Sequence, residues 1–271
     1  MESLQGRVAV VTGAGAGIGQ GLARALARRG ASVVAADLSA DAAQATAADL
    51  EGTFGTPALA VPTDVADPAA VEELAAVTYE RFGAVHVLCN NAGVSTVGEV
   101  WNASLSDWKF VLGVNLMGPV HGIHSFLPRM LASGEEGHVV NVSSMGGLNP
   151  VPTKAPYTAA KHGLVGVTKN LQAELKAIDA PIGVSVVCPG AVATDMLRTQ
   201  INRYKNDTTL TPQSRQVLEG LMKAVAGGIS IDEAGRIIVD GILANTFWIF
   251  PNAQPHFAEL VRQYEEMGIG V

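Results

Sequence analysis

Seven short apolar runs, rich in β-branched residues, recur along the 271-residue chain at 8–12, 32–37, 58–62, 85–90, 138–143, 182–188 and 247–250. Most are nearly continuous rather than alternating, which is the pattern of strands covered on both faces. Between them lie Ala- and Leu-rich stretches with charges at helical spacing, at 20–29, 40–51, 68–82, 106–132 and 157–178. Strand and helix alternating in this way predict an α/β fold. The expected form is one Rossmann-type, doubly wound parallel sheet of about seven strands with helices on both faces. Nothing along the chain reads as an interdomain linker, an internal repeat or a low-complexity tract, so residues 1–271 are expected to form a single domain.

The rhythm breaks at about 195–228, which is polar at first, then weakly helical, and closes on Gly227-Gly228. An excursion after the carboxyl end of a strand lies where such sheets bind ligands, so it is expected to cover the substrate as a lid. Ser230-Ile231-Asp232-Glu233 has the spacing of a capping box, and a charged tail helix is expected around 256–267.

Composition narrows the classes. With 48% hydrophobic and 16% charged residues the chain has material for one substantial core. The net charge of −7 argues against nucleic acid as a partner. No apolar stretch reaches the roughly 20 residues that cross a bilayer without interruption by charge or glycine, and the N-terminus lacks a signal-peptide pattern. A cytoplasmic location and no membrane partner are expected. Cys89 and Cys188 each close an apolar run and read as buried strand cysteines. The six histidines, including the His121/His124 pair on one helical face, have no metal-ligand spacing, and no metal is expected.

The candidate chemistry begins at Thr12-Gly13-Ala14-Gly15-Ala16-Gly17-Ile18-Gly19, which follows the first strand and opens the first helix. Glycine lets the backbone turn sharply against a ligand, and the free N–H groups of the helix end attract a pyrophosphate. Asp37 ends the second strand about twenty residues on, where a carboxylate accepts hydrogen bonds from the adenosine 2′- and 3′-hydroxyls. It would repel a 2′-phosphate, and neither Ala14, Ala16 nor Leu38 supplies a compensating cation. The expected cofactor is NAD. Tyr157 and Lys161 share a helix face, and an ammonium near a phenol lowers its pKa from about 10 toward the range of a working acid/base. Ser144, after the fifth strand, is placed to polarise a carbonyl.

Taken together, Thr12-Gly13-x-x-x-Gly17-Ile18-Gly19, Asn90-Asn91-Ala92-Gly93, Ser144, Tyr157-x-x-x-Lys161 and Pro189-Gly190 resemble the short-chain dehydrogenase/reductase family in its single-domain form. The resemblance is specific from about Gly6 to Gly190, looser through Thr194, and only architectural beyond. It implies that Tyr157 exchanges a proton with the substrate oxygen, that Lys161 holds the nicotinamide ribose, and that Ser144 binds the carbonyl. It implies that Asn115 supports a water linking Lys161 to solvent. Gly13, Gly17 and Ile18 would cradle the pyrophosphate, Asp64 and Val65 contact the adenine, Asn91 the adjoining ribose region, and Val192 and Thr194 the nicotinamide carboxamide. Asn90 would support the sheet.

The implied activity is NAD-dependent interconversion of a secondary alcohol and a ketone. A small-molecule substrate and a homotetramer or homodimer are expected with it. Two alternatives remain: an NADPH-dependent 3-oxoacyl-type carbonyl reductase, and a non-catalytic NAD(H)-binding sensor or scaffold. The C-terminal edge, Ala244 to Pro251, departs from the family's usual Val-Asp-Gly-Gly-like turn. Expected pocket walls are Val94-Ser95-Thr96, Met145-Gly146-Gly147-Leu148, Val151, Pro152, Ala191, Met196 and the 195–228 segment. They are mostly apolar, with no arginine placed for a carboxylate, and so predict a fairly hydrophobic substrate.

Overall fold

The computed structural model describes residues 1–194 and 211–266, apart from the side chains of 254–256 and 263–264. Met196, most of the polar part of the 195–228 segment, and the side chain of His256 therefore lie outside the description. Seven strands form one sheet: β1 (Val8–Thr12), β2 (Ser32–Asp37), β3 (Ala58–Pro62), β4 (Val87–Asn90), β5 (Gly137–Val142), β6 (Ile182–Val187) and β7 (Trp248–Ile249). Their order is β3-β2-β1-β4-β5-β6-β7, and every pairing is parallel. The order reverses direction between β1 and β4, so a crevice opens beyond their carboxyl ends. Because every strand among the described residues runs the same way, Thr12, Asp37, Asn90, Val142 and Val187 all end at the same edge of the sheet.

Helices α1 (Gly17–Arg28), α2 (Ala40–Phe54), α3 (Pro68–Phe82), α4 (Leu105–Leu112), α5 (Gly118–Ser133), α6 (Ala155–Ala177), α7 (Pro212–Ala226), α8 (Ile231–Leu243) and α9 (Gln254–Glu266) cover the sheet and its edges. One face packs Leu22 and Leu26 of α1 and Ile238 and Ile242 of α8 on Val11, Val33 and Val140. The other packs Leu74, Phe126, Met130 and Leu171 from α3, α5 and α6 on Val10, Val34 and Val139. Burial on both faces is why the strands read as continuous apolar runs. Cys89 and Cys188 are buried thiols in that framework, and burial pushes the Cys188 thiol up to about 12.

Helix ends follow local sequence. Ser39, Asp67 and Ser104 accept from backbone N–H groups at the starts of α2, α3 and α4, and Gly55 and Gly83 close α2 and α3 in the left-handed region. At α8 the Ser230 hydroxyl accepts from Glu233 N at 3.1 Å, but the Glu233 carboxylate turns outward to Arg236 instead of back to the cap. Half of the expected capping box forms.

The stretch expected as one helix over 106–132 is α4 and α5 joined by a wide π turn at Gly113–Met117. Pro119 has no N–H to return to the preceding turn, so the regular ladder is interrupted there. By length and composition the whole run Leu105–Ser133 could cross a bilayer, which corrects the reading that no stretch approaches that length. Its packing gives the physical reason: Phe126, Leu127 and Met130 face the sheet, so its apolarity serves the core.

Candidate active site

At the crevice, the glycine turn runs from β1 into α1 with Gly13 at φ +64° and Gly17 at φ +58°. A side chain at Gly13 would press on the Ala92 backbone at 2.8 Å, so the turn requires glycine for both reasons. Ala16 caps α1 without a side-chain acceptor, and with Gly17 and Ile18 it lines a cavity of about 570 Å³. An uncapped helix end facing a cavity is an anion cradle. Asp37 lines the same cavity, its two oxygens accepting from Gly15 N and Ser39 N, each at 2.9 Å. A carboxylate has about four acceptor positions, so capacity is left for ribose hydroxyls. The turn, the open helix end and Asp37 therefore fit a dinucleotide.

Asn91 ties β4 to the turn. Its Nδ2 donates to Thr12 O at 2.8 Å, while Thr12 Oγ1 accepts from the backbone N–H groups of Asn91 and Ala92. The neighbouring Asn90 donates to Asn141 Oδ1 at 2.9 Å inside the sheet, where the sequence placed it. Val192 and Thr194 reach the cavity after β6, with the Thr194 methyl 3.3 Å from where a Cβ on Gly17 would lie.

Ser144, Tyr157 and Lys161 also face this cavity. Ser144 follows β5, and its hydroxyl accepts from Gly146 N at 3.0 Å and hydrogen-bonds the Tyr157 phenol. One helical turn after Tyr157, Lys161 sends its Nζ to Val142 O at 2.7 Å and lies 5.8 Å from the Tyr157 ring centre. Burial pushes Tyr157 above its ordinary pKa, and the Ser144 bond opposes it. Burial likewise draws Lys161 down to about 8.

Asn115 sits in the π turn, fully buried, and does not line the cavity. Its side-chain amide makes a two-way bond with Val94, accepting from Val94 N at 2.8 Å and donating to Val94 O at 2.7 Å. A Cβ on Gly93 would lie 3.6 Å from Asn115 Oδ1 and 3.7 Å from Lys161 Nζ, so Asn115 and Lys161 flank one point of the chain. Asp64 and Val65 also lie outside the cavity lining: Asp64 accepts from Ala66 N, and Val65 O is bonded by His121.

Of the expected pocket walls, Val94, Ser95 and Val151 line the cavity, whereas Thr96, Met145 to Leu148, Pro152 and Ala191 do not. Met145 is instead packed with Val165, Val186 and Cys188. Leu221 and Val225 line it from within the 195–228 segment expected as a wall, whereas two lining residues escape sequence reasoning: Phe110 and Lys154. Lys154 is 5% exposed, lies 5.9 Å from the Tyr157 ring centre, and is drawn down to about 8 by burial. Its place three residues before Tyr157, at the helix start, was the available signal. Thr153 beside it is held at φ +63°, a strained backbone at the mouth of α6.

Glu99, on the loop after β4, is 9% exposed and binds the start of α7. Thr211 and Ser214 donate their hydroxyls to Oε1, the Ser214 bond being 2.8 Å, and Asn102 Nδ2 donates to Oε2 at 3.2 Å. These donors, Thr211 foremost, hold the Glu99 carboxyl down to about 2.

Residues 7–205 match the family model for short chain dehydrogenases. The chain belongs to that family. It is 37% identical over 254 residues to 1-deoxy-11-beta-hydroxypentalenate dehydrogenase of Streptomyces avermitilis, covering 92% of this chain and 86% of the relative. It is 34% identical over 217 residues to D-beta-hydroxybutyrate dehydrogenase of Rhizobium meliloti, covering 80% and 82%. Among solved structures, a short chain dehydrogenase/reductase from Burkholderia phymatum in complex with NAD superposes with a TM-score of 0.91 at 33% identity, covering 100% of this chain and 98% of the other. A short-chain dehydrogenase with such relatives is an oxidoreductase of the alcohol-dehydrogenase kind, and it acts on a small molecule.

Proposed function

We propose that the protein is an NAD-dependent dehydrogenase that interconverts a secondary alcohol and a ketone, with Tyr157 as the general acid/base. The observation that carries this reading is the Ser144–Tyr157 hydroxyl pair, open to the same cavity as the glycine turn and Asp37. When bound, the nicotinamide supplies hydride transfer to or from the carbinol carbon. Tyr157 then takes or returns the oxygen's proton, Ser144 donates to that oxygen, and Lys161 offers a cation beside the phenol and a donor to the ribose. The scaffold alternative leaves unexplained why three such side chains converge on one cavity.

For the substrate, Val94, Phe110, Val151, Leu221 and Val225 favour an apolar body. Lys154 adds a cation to this wall, so a substrate that also carries a carboxylate or another strong acceptor fits better than a wholly apolar one. The dehydrogenases acting on hydroxypentalenate and hydroxybutyrate are named for hydroxy acids of this description. A panel of secondary alcohols and hydroxy acids, followed through NADH absorbance, tests the activity; no turnover across it would leave the scaffold reading.

NAD over NADP rests on Asp37, since a 2′-phosphate beside that carboxylate meets like charge worth several kcal/mol. Asp37→Ala is expected to move the NADP/NAD ratio of kcat/KM upward by roughly tenfold or more. A wild-type preference for NADP would overturn the cofactor assignment.

A further inference from the structure

The substrate side of the cavity is closed by a helix with little core of its own. α7 contributes Leu221 and Val225 to the lining, and packs through Leu218 on Val97 in a small cluster separate from the two large ones. Its start is held by the Glu99 carboxylate, which takes the hydroxyls of Thr211 and of the fully buried Ser214. Thr211 is at once the N-cap of α7, accepting from Ser214 N at 3.2 Å, so the carboxylate also faces the positive end of the helix dipole. On its other side Glu99 follows Gly98, whose N–H donates to Thr153 O at 2.8 Å. That bond fixes the loop to the start of α6, immediately before Lys154 and Tyr157. The Glu99 side chain and the backbone of Gly98 beside it thus join α7 to the segment that carries the proton-transfer residue.

We propose that Glu99 is a positioning residue, which sets where α7 places Leu221 and Val225 over the substrate without touching substrate or cofactor. The proposal rests on the dehydrogenase reading of the cavity. A hydrogen-bonded carboxylate does this better than an apolar contact because its geometry is directional, whereas two leucines on one helix face can slide. The consequence is a split in kinetics. Loosening α7 weakens binding of the substrate's apolar body, while the glycine turn and Asp37, which belong to other elements of the lining, keep their hold on the nucleotide.

The test uses Glu99→Ala, Glu99→Gln and Ser214→Ala in the full chain. For Glu99→Ala, KM for the substrate is expected to rise about tenfold with a smaller change in kcat. The Kd for NADH should stay within about twofold, and amides of 212–226 should exchange faster while those of α6 do not. Glu99→Gln keeps an acceptor oxygen for one hydroxyl and should fall between Glu99→Ala and the wild type, as should Ser214→Ala. Should Glu99→Ala fail to fold, these two milder variants decide the matter by the same readouts. Unchanged exchange in 212–226, or faster exchange with unchanged KM, would overturn the proposal. So would parallel losses of NADH affinity and Tm in all three variants, which mark a merely structural role. If the wild-type chain turned over no alcohol, the dehydrogenase reading would fail by itself, and the exchange measurement would still uphold or overturn the hold of Glu99 on α7.

Discussion

Tyr157→Phe is expected to lower kcat/KM by about a thousandfold, the middle of the range for a lost general acid/base. The Kd for NADH should change little. The phenol hydroxyl is the atom that Ser144 meets in the cavity, and the ring stays in place because burial and the flanking Lys154 and Lys161 hold its faces. Phe removes one oxygen and keeps that packing, so the loss falls on chemistry rather than on folding. Fluorescence titration with NADH beside steady-state rates checks it, and a variant retaining a tenth or more of the activity would sink the mechanism. The same residue sets the pH profile. Oxidation needs the phenolate and reduction needs the phenol; burial holds Tyr157 above its ordinary value. In the oxidative direction kcat/KM should therefore climb with pH well into the alkaline range, and in the reductive direction it should fall over the same range. A rate–pH series in both directions shows whether the limbs have opposite sign; parallel limbs would mean that another group titrates.

The strands were legible because a parallel sheet buried on both faces writes its inner strands as continuous apolar runs, and even β3, only partly buried at one edge, keeps the apolar run Ala58–Val61. The ends moved by a residue or two where the run continued past the hydrogen-bonded ladder, as at 85–90, where β4 begins only at Val87. Contacts within one helix or at one strand end were legible too: Tyr157 and Lys161 are a turn apart, and Ser144 follows β5. What stayed hidden was made by distant segments meeting in space. Glu99 reaches Thr211 across 112 residues, and no local pattern announces that pair. Phe110 looks like an ordinary core position until α4 is packed on the cavity, and within the 195–228 segment nothing local announces that Leu221 and Val225 are the residues that reach it. The π turn was hidden for a different reason, since it differs from the expected helix by a slight widening. It matters because it turns Asn115 inward onto Val94, where both ends of its amide are engaged by backbone.

Gly235→Ala tests how the fold holds the cofactor cradle, and it is expected to destabilise although alanine is the better helix former. α1 and α8 cross at their glycines: a Cβ on Gly235 would lie 2.2 Å from Gly21 O, and one on Gly21 would lie 2.0 Å from Ile231 O. Both obstacles are backbone atoms within helices, so no side-chain rotation relieves them. The helix propensity gained is about 1 kcal/mol, whereas forcing packed backbones apart costs about 1–3 kcal/mol and more when neither side can yield. Separation is the larger effect, and a net loss of about 2 kcal/mol would lower Tm by roughly 4–8 °C in a domain near this size. The movement does not stay local. Gly17 and Ile18 at the cavity belong to the same helix as Gly21, so a displaced α1 carries its open N-terminal amides away from the pyrophosphate position. NADH affinity should therefore drop together with Tm, by about three- to tenfold for a shift that costs 1 kcal/mol or so of binding. Gly52→Ala in α2 is the control. Nothing lies within 4 Å of its Cβ position. There the propensity term acts alone, and the variant should gain about 0.5–1 kcal/mol with unchanged NADH binding. Equal stability of the two variants by thermal melts would mean that α1 and α8 slide apart at no cost, and the glycine crossing would then have no part in holding the cradle.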